Sequence, residues 1–180
     1  MTVEGAPVLE RAENDCVSES AGHHRYRAAL GQFATGVAVV TAMTTNDSPV
    51  GLTVNSFTSV SLEPRLILWS LASSASCLPV FCAASHYAVN VLGADQIELS
   101  KTFASYRGDR FAKITFKRGA GGVPVIPQSI AWFECANYRR HEEGDHVIFI
   151  GKVERYEVKS RRPLVFYSGS YHVPIRHPGE

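Results

Sequence analysis

The spacing of apolar and polar residues changes several times along this chain, and each change marks a new element. From Tyr26 the apolar positions Tyr26, Ala29, Leu30, Phe33 and Ala34 recur at spacings of three and four, which predicts an amphipathic helix ending near Gly36. The period then shortens to that of strands. VAVVTA at Val37 to Ala42 is rich in β-branched residues, and NDSP at Asn46 to Pro49 supplies turn chemistry before a second strand, so the pair reads as a hairpin. RLILWSL at Arg65 to Leu71 reads as a buried strand. Ser73 to Ser76 are placed to cap a short helix over Cys77 to Ala84, with Pro79 tolerated in its first turn. HYAVNVL at His86 to Leu92 returns to strand character, and Asp95 with Glu98 suits the capping box of a helix running to about Phe103.

Ala104 to Gln128 is rich in Gly, Arg, Lys and Pro and reads as loops around a short strand at Lys113 to Lys117. Three more strands are predicted at Ile130 to Asn137, His146 to Val158 and Leu164 to Gly169. Hairpin-like connections dominate, there is no sustained βαβ alternation, and no GxGxxG follows a strand. A Rossmann fold is therefore disfavoured, and the expected class is mainly β with peripheral helices, an antiparallel barrel.

Composition narrows the function classes. The 180 residues are 45% hydrophobic and 10% aromatic, enough for one domain with a substantial core. Residues 1–21 lack sustained periodicity and are expected to form a mobile arm, residues 22–174 the domain and residues 175–180 a tail. A net charge of +1 with scattered Lys and Arg gives no footprint for nucleic acid or an anionic membrane. No stretch is apolar enough to span a membrane, and no basic region with an apolar run opens the chain. The four cysteines, Cys16, Cys77, Cys82 and Cys135, form no CxxC pair, so a cytoplasmic protein with reduced thiols is expected.

Chemistry-bearing residues are few. GLTVNSFTSVS at Gly51 to Ser61 carries Thr53, Asn55, Ser56, Thr58, Ser59 and Ser61 without one charge. Hydroxyls, an amide and backbone N–H groups can cradle a phosphate or a heterocycle edge. The same stretch also fits a polar strand whose Leu52, Val54, Phe57 and Val60 face a core. His146, in GDH at a strand's entry, could donate to a ligand or simply cap a turn. Asn90 within AVNVL must find partners, either backbone or ligand. Phe103 and Tyr106 beside Lys101 and Arg107 suit an anionic ring-bearing ligand, or solvated charges over a core phenylalanine. His86, His141 and His172 lack metal-ligand spacing, and no GxSxG elbow occurs.

Several motifs in order resemble the flavin reductase-like family, the small reductase components of two-component flavin monooxygenases. They are FATGVAVVTA at Phe33 to Ala42, GLTVNSFTSVSLEPRLILWSL at Gly51 to Leu71, YAVNVLGADQIELSKTFA at Tyr87 to Ala104, AWFECAN at Ala131 to Asn137, GDHVIFIGKV at Gly144 to Val153, and PLVFYSGSY at Pro163 to Tyr171. The resemblance covers about residues 25 to 173 and implies a split β-barrel, a homodimer binding FMN or FAD near the subunit interface. It places Thr53, Val54, Asn55, Ser56 and Ser59 at the flavin. Thr35, Gly36, Val37, Val39, Ser73, Ser76, Asn90, Val91, Lys101, Phe103, Ala104 and Tyr171 help to line the cleft.

His146 matches the family histidine associated with nicotinamide binding and hydride transfer. NADH is the expected donor and NADPH the alternative, because no dedicated Arg cluster is evident beyond Arg107, Arg139 and Arg140. Reduced flavin would pass to a separate monooxygenase component, and no metal is expected. The competing expectations are an enzyme with tightly bound flavin acting on its own substrate, and a flavin- or haem-binding split-barrel module without reductase turnover.

Overall fold

The computed structural model describes residues 19–105 and 108–179. Its elements run α1 (Glu19–Leu30), β1 (Thr35–Gly36), β2 (Ala38–Met43), β3 (Pro49–Val54), β4 (Thr58–Leu62), β5 (Arg65–Ala72), α2 (Leu78–Ala83), β6 (His86–Val91) and α3 (Ile97–Ser105). They continue with β7 (Lys117–Arg118), β8 (Pro124–Val125), β9 (Ala131–Glu143), β10 (His146–Val158), β11 (Val165–Tyr167) and β12 (Ser170–His172).

Seven strands form one antiparallel sheet in the order β3-β2-β6-β9-β10-β5-β4. Residues on β2, β5, β6, β9 and β10 share one buried cluster, so strands far apart in the sheet order meet through their side chains. The sheet therefore curls on itself, while its edges β3 and β4 stay unpaired with each other, giving an open, split barrel. Trp69 stacks on Phe149 with ring centroids 4.6 Å apart, and Phe81 and Tyr87 meet Trp69 edge-on. Gly151 is required here: a Cβ would lie 2.9 Å from Cys135 Cβ and closer still to the Tyr87 hydroxyl. A second cluster, with Val37, Val39, Phe103, Phe111 and Leu164, covers the other face of β2, which explains why its run is buried on both sides. β1, β11 and β12 form a small separate sheet.

Local expectations fail where distant partners compete. The first helix begins at Glu19 and stops at Leu30 instead of near Gly36, so residues 19–21, expected within the arm, are helical. Residues 1–18, including Cys16, lie outside the described residues, as do Tyr106 and Arg107. β5 alternates buried and half-buried positions instead of being buried throughout. α2 is preceded by Cys77 with no side-chain cap, so Ser73 to Ser76 do not cap it. Asp95 pairs with Arg161 instead of capping α3. The strand expected at Lys113 to Lys117 is displaced to Lys117–Arg118, where it pairs with β8. β9 continues to Glu143 because β10 pairs with it along its length, and Gly144, at φ 59°, closes the tight turn. Among the described residues no helix is long and apolar enough to cross a membrane.

Candidate functional site

His146 opens β10, pairing with Ala72 at the end of β5. Its side chain is 46% exposed, and Nδ1 lies 2.7 Å from Asp145 Oδ1. A carboxylate accepts only, so Nδ1–H donates, and Nε2 makes no hydrogen bond among the described residues. That hydrogen bond from His146 is the main cause holding the Asp145 carboxyl below its usual range, with attraction to His146 adding to it and a smaller contribution from Arg27. The Ser73 N–H donates to the Asp145 carbonyl at 2.8 Å, so Ser73 and His146 share one end of the sheet. Ser56 belongs to the same end. Its hydroxyl donates to the Ser70 carbonyl at 3.2 Å and accepts from the Ser70 N–H at 3.0 Å, fixing the corner between β3 and β4 against β5.

Beside this corner a cavity of about 260 Å³ is lined by Thr35 and Asn55 together with Arg27, Leu30, Gly31, Phe33, Phe166 and Gly169. Its wall is latched by the Ser168 N–H donating to the Gly31 carbonyl at 2.9 Å and by the Tyr167 hydroxyl donating to Gln32 at 3.0 Å. Arg27, Phe166 and Gly169 carry no local sequence signal for this role, because α1 meets the turn between β11 and β12 only through the fold. Thr35 Oγ1 is buried there without a hydrogen-bond partner. A buried hydroxyl of this kind costs free energy unless something fills the need.

The remaining candidates divide. Thr53 donates to the Ser100 carbonyl at 2.7 Å, and Ser100 Oγ meets the Tyr171 hydroxyl at 2.8 Å, tying β3, α3 and β12 together. Gly36, Ser59, Ser73, Lys101 and Ala104 are exposed, Val54 is buried and Val91 half-buried. Ser76 lines a different cavity, of about 250 Å³, with Gly51, Cys77 and Arg110. Four candidates cannot offer side chains to a cleft. Val37, Val39 and Phe103 are core residues, because α3 and the following loops cover the second face of β2. Asn90 is fully buried, its amide N–H groups donating to the Val39 carbonyl at 3.0 Å and Thr41 Oγ1 at 3.2 Å while its oxygen accepts from the Ile126 N–H at 2.8 Å.

In this cavity the orphaned Thr35 hydroxyl and the exposed Asn55 amide, with Arg27 on the same wall, make a donor set suited to the polar edge of a flavin ring. Thr35 and Asn55 would hold that edge. Among the described residues no group of three His, Cys, Asp or Glu side chains could hold a metal ion.

Comparison with known proteins bears on this arrangement. The model of the flavin reductase like domain matches residues 30–174. The chain is 48% identical over 146 residues to FMN reductase (NADH) SmoA of Agrobacterium fabrum, covering 81% of this chain and 83% of that protein. It is 41% identical to the reductase component of the flavin-dependent trigonelline monooxygenase of Acinetobacter baylyi, covering 83% of this chain but only 48% of that protein's length. The structure of the NADH:FAD oxidoreductase SgcE6 of Streptomyces globisporus C-1027, in complex with NAD and FAD fragments, superposes with a TM-score of 0.80 at 35% identity, covering 87% of this chain and 93% of that one. The family model over residues 30–174 and this level of identity, on a chain that folds as a split, open barrel, show that it belongs to the flavin reductase-like family.

Proposed function

We propose that this protein reduces FMN or FAD with NADH and releases the reduced flavin to a separate monooxygenase component. The observation that carries the reading is the His146–Asp145 pair, which shares one end of the sheet with the Ser56 corner beside which Thr35 and Asn55 line the cavity. When bound, flavin supplies the electron-accepting ring atom, so the chain needs no acid, metal or nucleophile of its own. Asp145 fixes the tautomer of His146, and His146 Nε2 is thereby available to orient the nicotinamide. Thr35 and Asn55 hold the polar edge of the ring. Ser59 and Ser73 offer hydroxyls to the ribityl chain or phosphate, whereas Ser56 and Thr53 support the corner through their backbone bonds.

The same reading makes the protein a cytoplasmic homodimer. Tyr26, Leu30, Phe33, Val60 and Leu62 leave large apolar side chains exposed, and a second copy would cover such surface. Sedimentation that shows only monomer at micromolar concentration would remove this part.

His146→Ala tests the central role. The expected result is a fall in NADH oxidation of roughly 10²-fold or more, with flavin affinity largely kept. Loss of flavin binding with turnover per bound flavin retained would show that the histidine belongs to the flavin and not to the donor.

A further inference from the structure

A cavity of about 410 Å³ lies where the end of β2, α2 and the residues before β6 meet. None of its lining residues is among those proposed to hold the flavin. Met43, Pro79, Val80 and Ala83 give it apolar walls, Thr45 lies on its β2 side, and Ser85 opens onto it.

Ser85 is not alone there. Its exposed hydroxyl lies 3.0 Å from His86 Nδ1, and His86 Nε2 faces the Glu154 carboxylate at 3.4 Å. A carboxylate draws the imidazole proton to the nitrogen it faces, which leaves Nδ1 to accept from the Ser85 hydroxyl. Distant elements set this order. Glu154 is the unpaired residue of a bulge in β10, between Val153, opposite Cys135, and Arg155, opposite Glu134, and a bulge re-aims a side chain. The buried Glu134 carboxylate accepts from Arg155 Nε at 2.8 Å and from the Ala120 N–H at 2.7 Å, so its charge is matched and it anchors the turn Ala120–Gly122 beside His86. Gly121 of that turn comes so close that a Cβ there would lie 2.7 Å from His86 Nδ1. The ring is thus held by the turn, with a serine at one nitrogen and a carboxylate at the other.

A hydroxyl bonded to an imidazole that a carboxylate orients is the arrangement of an activated nucleophile, and it is recognised by geometry, not by a sequence elbow. We propose that Ser85, with His86 as general base and Glu154 as a positioning residue, hydrolyses small uncharged esters bound in this cavity. Ser85 Oγ attacks the ester carbonyl carbon while its proton passes to His86 Nδ1. The bond to the leaving oxygen breaks, and that oxygen departs with the electron pair and takes the proton from Nδ1 as an alcohol or phenol. Water then attacks the acyl-serine; its proton passes to Nδ1 and on to Ser85 Oγ as the acyl bond to serine breaks and the acid leaves. The described lining carries no charged side chain, which suits a neutral acyl or aryl group. This second activity does not depend on the reductase reading.

The full chain is treated with a fluorophosphonate, which phosphonylates an activated serine with loss of fluoride, and the adduct is located by peptide mapping. Hydrolysis of p-nitrophenyl acetate and butyrate is followed in parallel. The expected adduct is on Ser85. Ser85→Ala and His86→Ala should each lower kcat/KM for the esters roughly 10²-fold or more, and added imidazole should restore part of the loss in His86→Ala, which a merely structural histidine would not allow. Glu154→Gln should lower kcat roughly tenfold at unchanged KM, with Glu154→Asp between it and the wild type. Circular dichroism of Ser85→Ala should match the wild type, and its NADH oxidation with FMN should stay within about twofold. Absence of an adduct on Ser85, hydrolysis that Ser85→Ala leaves unchanged, or phosphonylation of Ser85 that is as fast in His86→Ala as in the wild type would overturn the proposal.

Discussion

Replacing Asn90 with alanine removes three hydrogen bonds from a position with no access to water. The two bonds made by its amide N–H groups contribute about 1 kcal/mol each, and the Ile126 N–H, left without an acceptor, costs about 1–3 kcal/mol, for a total near 3–5 kcal/mol. That is a large share of the stability of an ordinary domain, roughly 5–15 kcal/mol. Urea unfolding followed by tryptophan fluorescence reads it directly, because Trp69 lies in the barrel core. The expected result is a lower midpoint at unchanged slope, with flavin affinity of the folded protein kept within about twofold, since no atom of Asn90 is free for a ligand. An unchanged midpoint combined with a fall in flavin affinity of about tenfold or more, roughly 1.4 kcal/mol, would refute the reasoning and return Asn90 to the cleft.

Asp145 is depressed below the ordinary value of 3.8 mainly by its hydrogen bond from His146. Its contribution to stability is therefore present above the unfolded pKa and lost as pH falls through the depressed native one. Carboxyl NMR should find it titrating below 3.8 in the wild type and moving back up in His146→Ala; a wild-type value at or above 3.8 would contradict the pair's geometry. Gly151→Ala forces a Cβ against the Tyr87 hydroxyl and Cys135, and overpacking of this kind should cost about 1–3 kcal/mol; an unchanged melting temperature would contradict the close approach. Burial, with the charges of Glu154 and Glu134 adding to it, pushes the Cys135 thiol up to about 12. Alkylation with mass mapping should leave Cys135 unmodified until the protein unfolds, and rapid native labelling would show the thiol to be accessible.

The β2–β3 hairpin was legible because a β-branched run at Val37 to Ala42 is followed by turn chemistry at Asn46 to Pro49, whereas the hairpin at Gly144 was legible only on its β10 side, the strand before it being expected to end at Asn137. What is set by distant contacts was not. Asp95 has the composition of a cap, yet Arg161 is a stronger partner for its carboxylate than a helix N–H. The apolar run of β2 announced burial but not the second cluster that takes Val37, Val39 and Phe103 out of reach of a ligand.

Asn90 signalled a polar network, and only the approach of Ile126 decided between backbone and ligand. The candidate residues differ in how they came to notice. Thr35, Asn55 and His146 came from motifs, whereas Arg27 entered through the docking of α1 on the β11–β12 turn, a contact that no local pattern encodes. Thr35 itself sits on a strand of two residues, too short to leave a period.

The central claim is that reduced flavin is made here and leaves. Purified protein is mixed with NADH and oxidation is followed by nicotinamide absorbance with no added flavin, with excess FMN and with excess FAD. The account predicts slow oxidation without added flavin and sustained turnover, many equivalents per protein, when FMN or FAD is supplied. Oxidation that added flavin does not stimulate would contradict it.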